Sequence, residues 1–151
     1  MYFADVITDL DCANLLIEDR SGSRGQQAFE ALALLVAIRQ WLPARREARI
    51  VVTLRGDNIA ALYAVTKMQP KSNSLGVVAR ELALDLSQAS YAIDVAEHVS
   101  GLTNTIADVL SRKYQEDKTF VLPSPLKYAF ECTPQARDAK WWKARPAMLS
   151  G

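Results

Sequence analysis

Apolar residues recur at helical spacing through QQAFEALALLVAIRQWL, residues 26–42, after the breaker SGSRG and before Pro43, which predicts the longest helix of the chain. The next pattern differs. ARIVVTL, residues 48–54, is rich in β-branched residues and too short for a stable helix, so a buried strand is expected, ending at Gly56-Asp57-Asn58. A short helix then fits residues 58–67, with Asp57 or Asn58 able to cap its free N–H groups and Pro70 excluding its continuation. After the polar turn KMQPKSNS, residues 75–86 carry one apolar helical side interrupted by Arg80, Glu81 and Asp85. Residues 91–99 alternate as a strand, and residues 103–112 predict a last helix with Ile106, Val109 and Leu110 on its apolar side. At the start, residues 2–7 alternate as a short strand, and residues 8–16 form an acidic connection with a helical turn. Beyond residue 112 sustained periodicity ends and four of the six prolines appear, so residues 113–151 read as a Pro-containing tail or linker after a domain of residues 1–112. Within it RDAKWWKAR sets Trp141 and Trp142 in a basic context suited to docking on the domain or on a partner.

Composition narrows the classes. With 151 residues, 50% of them hydrophobic and 23% charged, the chain has a globular composition and room for one core. Its formal charge of +1 announces no global field for nucleic acid or membrane, so such binding must come from a local patch. The longest apolar run, ALALLVAI, falls far short of the roughly 20 residues of a membrane span. MYFADVITDLD lacks the basic start of a signal peptide, and Cys12 and Cys132 share no zinc-ligand spacing. An intracellular, reducing setting, cytoplasmic or nuclear, is therefore expected.

Three acids lie at structurally meaningful points: Glu30 in the long helix, Asp57 at a strand's carboxyl end and Asp108 in the last helix. Taken singly, Glu30 and Asp108 read as helix-surface acids and Asp57 as a cap, although strand ends are where ligands approach an α/β sheet. What joins them is HVSGLTNTIADVLSR, in which His98 leads to a Gly101 turn, to Asn104 as helix opener and to Asp108 one turn later.

At these residues the sequence resembles the ribonuclease H domain of long-terminal-repeat retrotransposon and retrovirus polyproteins. The resemblance covers about residues 2–112 and rests on FEALALLVAIRQW, VVTLRGDNIAAL and HVSGLTNTIADVLSR. It implies an α/β fold, a ribonuclease H-like mixed sheet flanked by helices. It also implies cleavage of the RNA strand of an RNA–DNA hybrid by two metal ions, Mg2+ or Mn2+, on four carboxylates. Glu30, Asp57 and Asp108 match three of those metal ligands, and His98 matches the mobile histidine that assists proton transfer or product release. The fourth carboxylate belongs to a first strand followed by a Gly-rich hairpin. YFADVI reads as the family's third strand, so the first two strands and the first aspartate are expected to be absent and activity weak or lost. Asp5, Asp9, Asp11 and Asp19 lie upstream of Glu30, but none is followed by such a hairpin.

Lys67, Lys71, Ser72 and Asn73 form a basic turn suited to phosphate, and Asn58 and Asn104 are placed to donate to phosphate or a ribose hydroxyl; a solvated turn and helix caps account for the same residues. The implied partners are an RNA–DNA hybrid and an upstream reverse transcriptase domain, with no membrane. Two alternatives stand beside this reading. One is a non-catalytic nucleic-acid- or protein-binding module on the same fold, and the other is an integrase or exonuclease relative, against which the His98-to-Asp108 string argues.

Overall fold

The computed structural model describes residues 1–42, 50–88, 91–98, 104–116 and 119–144. Its elements run α1 (Asp9–Leu15), α2 (Ser23–Trp41), β1 (Ile50–Gly56), α3 (Ile59–Thr66), α4 (Asn73–Leu86), β2 (Tyr91–His98) and α5 (Thr105–Ser111). The molecule is mixed α and β. Among the described residues the sheet has two strands, β1 and β2, paired in parallel. Parallel neighbours require a crossover, and α3 and α4 supply it. The register runs from Ile50 opposite Tyr91 to Gly56 opposite His98, with a one-residue shift after Val52.

The helical periods read from the sequence fill one core. Ala28, Ala31, Leu32, Leu35, Val36 and Ile38 line a buried stripe on α2, met by Ala61, Leu62, Ala64 and Val65 of α3 and by Leu75, Val77, Val78 and Leu82 of α4. Caps set where two of these helices begin. The Asn58 side chain accepts from the Ala61 N–H at 3.0 Å, and the Ser72 hydroxyl accepts from the Leu75 N–H at 3.2 Å. Among the described residues no helix is long and apolar enough to cross a membrane.

Two expectations change at the chain's ends. Residues 2–7 do not form a strand; they hold a single parallel bridge between Tyr2 and Glu131. The reason is competition for backbone partners. The Tyr2 N–H donates to the Phe130 carbonyl at 3.0 Å, the Cys132 N–H donates to the Tyr2 carbonyl at 2.7 Å, and the Val6 N–H turns to the Asp5 carboxylate at 2.8 Å. The acidic connection after it is a formed helix, α1, closed by a capping box. There the Thr8 hydroxyl accepts from the Asp11 N–H and the Asp11 carboxylate accepts from the Thr8 N–H.

The C-terminal segment is irregular, as its prolines imply, with only a short 3-10 turn at Ser124–Leu126. It is nevertheless fastened to the core. Trp141 and Trp142 are 8% and 3% exposed and belong to the same apolar cluster as α2, α3 and α4. Beside them Arg39 bonds Asp85 at 2.7 Å, Glu81 at 2.7 Å and the Trp141 carbonyl at 2.7 Å, while its guanidinium lies 4.3 Å from the Trp141 ring. The Lys143 and Ala144 N–H groups donate to Glu81 at 2.9 and 2.6 Å, and the Lys143 ammonium reaches Asp85 at 2.5 Å. Burial works against the Arg39 charge, but the bonds to Asp85 and Glu81 outweigh it and raise its pKa.

Candidate functional site

Glu30 occupies the middle of α2, partly buried, and the Gln26 side-chain amide one turn earlier lies 3.5 Å from its Oε1. Asp57 leaves the carboxyl end of β1 just before the Asn58 cap of α3. Because α3 packs on α2, this junction brings the Asp57 carboxyl group within hydrogen-bonding reach of Glu30. Two carboxyl groups share such a bond only when one carries a proton. Burial, followed by the hydrogen bond and the negative charge of Asp57, pushes Glu30 up to about 7 against the opposing bond from Gln26. An acid that is half protonated near neutrality is thereby fixed at one end of the sheet.

The strand register adds a third group to that end. Gly56 lies opposite His98, so the backbone sets His98 beside the strand end from which Asp57 departs. The His98 side chain and the Gly101 turn lie outside the described residues. Asp108 does not join the pair. It is exposed on α5 and is ion-paired to Arg112 at 3.1 Å, one turn along the same helix. The face that α5 turns toward α2 carries Ala107, Leu110 and Ser111, and Asp108 points about 100° away from Ala107. Those α5 residues, together with Phe29, Glu30 and Ala33 of α2, line a cavity of about 430 Å3.

Comparison with protein-family models, with curated proteins and with solved structures finds no match to this chain. The chemistry of the site therefore rests on its own geometry.

Among the described residues no group of three or more His, Cys, Asp and Glu side chains is close enough to hold a metal ion. A Mg2+ ion is nonetheless commonly held by one or two carboxylates, with water and substrate phosphate completing its six oxygens. The Glu30–Asp57 pair fits one such ion and does not by itself fit two. The upstream acids are engaged elsewhere. Asp11 is buried and bonded by Arg137 at 2.8 Å, Asp5 also pairs with Arg137 at 2.7 Å, and Asp9 pairs with Arg20. Asp19 accepts from the Ser21 hydroxyl and N–H, which holds its carboxyl below the usual range. Of these four, only Asp5 lines the cavity that Glu30 lines.

The basic turn is split between two surroundings. Lys71, Ser72 and Asn73 line a polar cavity of about 640 Å3 with Gly22 to Gly25 at the start of α2, whereas the Lys67 ammonium sits 4.6 Å from the Tyr63 ring. Ser72 and Asn58 both act as caps. Asn104 opens α5 but makes no side-chain capping bond. Sequence reasoning missed Gln26, whose spacing four residues before Glu30 was the available signal. It also missed the ion pairs of Arg39 and Arg137, for which the only local hint was Glu81 and Asp85 interrupting an apolar face.

Proposed function

We propose that this chain is a ribonuclease H-like domain of retroelement type, its ancestral chemistry the cleavage of the RNA strand of an RNA–DNA hybrid, with weak or no cleavage by the present form. The single observation carrying this reading is the Glu30–Asp57 pair at the end of β1, beside the end of β2 that leads into HVSGLTNTIADVLSR. Glu30 and Asp57 would hold a divalent cation, which when bound supplies charge stabilisation at a phosphoryl oxygen. Gln26 orients Glu30. His98, at the strand end, is the group suited to moving a proton at the leaving oxygen. Lys71, Ser72 and Asn73 offer a cation and hydroxyl and amide groups to phosphate. An upstream reverse transcriptase domain is the partner this reading implies.

Weak activity follows from the donor set, since Asp108 is turned to Arg112 and leaves Glu30 and Asp57 as the pair that would hold the ion. Incubating the chain with a labelled RNA–DNA hybrid in Mg2+ or Mn2+ should give negligible cleavage, with any residual activity lost in Asp57→Asn. Supplying the two upstream strands should raise it. Robust cleavage that persists in Asp57→Asn contradicts the assignment. The Asp108–Arg112 ion pair also favours a second reading, a non-catalytic module that retains hybrid binding; retention of hybrid with no cleavage under every cation and extension would select it.

A further inference from the structure

Among the described aromatic residues, those more than half exposed are Tyr114 at 54%, Tyr128 at 88% and Phe130 at 79%, all between residues 114 and 130. Lys113 links the surroundings of Tyr114 and Phe130. The Lys113 ammonium lies 5.4 Å from the Tyr114 ring and 5.8 Å from the Phe120 ring, and it pairs with Glu131, the neighbour of Phe130. The Lys127 ammonium lies 5.4 Å from the Tyr128 ring. The Tyr2 N–H bonds to the Phe130 carbonyl and fastens this part of the segment to the chain's start.

Tyr128 and Phe130, two residues apart and nearly fully exposed, offer ring surface for a partner to cover. Their companions choose between kinds of partner. Protein interfaces are depleted of lysine, whereas a flat ring with an ammonium group beside it matches a base and its phosphate. We propose that residues 113–116 and 119–130 present a stacking platform for single-stranded nucleic acid. Tyr128, Phe130 and Tyr114 supply base-stacking faces, and Lys127 and Lys113 supply phosphate contacts, Lys113 exchanging Glu131 for the phosphate. The platform lies outside the Glu30–Asp57 site and does not rest on the function proposed for it.

The test is fluorescence anisotropy of the full chain with labelled oligo(dT) and oligo(rU) in EDTA, where divalent-cation chemistry is silent. Binding is expected for both, weakened on the order of tenfold by Tyr128→Ala and by Phe130→Ala and largely kept in Tyr128→Phe. In Lys127→Ala the slope of log K against log salt should fall by about 0.7. The rings are at the surface, so unchanged circular dichroism should accompany the losses. Three results overturn the proposal: no binding at low salt, binding indifferent to both ring substitutions, or sedimentation showing self-association that Phe130→Ala abolishes.

Discussion

Two buried-acid regions of this molecule meet the same problem in opposite ways. On α4, Glu81 is fully buried, and its charge is met by the Arg39 guanidinium and the N–H groups of Lys143 and Ala144. On α2, Glu30 is partly buried, and it is met by a second carboxyl group, Asp57, whose hydrogen bond and charge join burial in raising Glu30 to about 7. The first arrangement fixes a structure: both carboxylate oxygens accept hydrogen bonds and the charge is met by a guanidinium. The second stores repulsion that a proton relieves and a cation would relieve further. The contrast separates an acid that holds the fold from one available for chemistry, and it does so without appeal to either residue's place in a motif.

The comparison can be broken first at its structural side. Arg39→Met should leave Glu81 and Asp85 buried beside only the C-terminal segment's donors, and it should cost about 3–5 kcal/mol in urea unfolding. The same substitution should release Trp141 and Trp142, visible as a red shift in tryptophan emission. A loss under about 1 kcal/mol would mean that the C-terminal donors alone satisfy the two acids.

Arg137→Ala tests the second clamp. Asp11 keeps its bond from the Thr8 N–H but loses both guanidinium bonds, so a loss of about 3 kcal/mol is expected. Protease cleavage within residues 1–8 should accelerate, because Arg137 also holds the Asp5 carboxylate and the Val6 carbonyl. Unchanged protection there would show that the Tyr2 bridge suffices.

The smallest effects distinguish the two asparagines at helix starts. Asn58→Ala removes a side-chain cap and should cost about 1 kcal/mol. Asn104→Ala removes none and should cost less than about 0.5 kcal/mol. Equal losses in thermal unfolding would contradict the difference in their geometry.

These magnitudes track how far each feature was legible in the sequence. Local signals sufficed for the interior elements. The 3.6-residue spacing before Pro43 located α2, the β-branched run located β1, and Asn58 was already a candidate cap. The acids Glu30 and Asp57 were legible as candidates, but their hydrogen bond required α3 to pack on α2. The ends were not legible for the same reason. A strand pattern over residues 2–7 gave way to backbone bonds with residues 130 and 132. The burial of Trp142 depends on Glu81 and Asp85, whose partners lie about sixty positions away along the chain. Glu81 read locally as an interruption of an apolar face, when burial plus a distant Arg39 makes it part of the core. Asp108 shows the limit of spacing arguments, since its pairing with Arg112 is itself a local i,i+4 contact that competes with convergence on the other acids.

The central claim, that Glu30 and Asp57 form a proton-sharing pair able to take a cation, is tested most directly by a side-chain carboxyl NMR titration of Glu30, with and without Mn2+. Glu30 is expected to titrate near 7 instead of its ordinary 4.5, and in Asp57→Asn to fall only part of the way, because burial is the larger cause. The sign for stability follows. A glutamate whose folded pKa is raised contributes fully below about 4.5 and loses its contribution as pH rises through about 7, a slope that Glu30→Gln should remove. Substoichiometric Mn2+ should broaden the Glu30 and Asp57 carboxyl signals before that of Asp108. A Glu30 midpoint near 4.5, or broadening that spares Glu30 and Asp57, would contradict the pair and with it the proposed site.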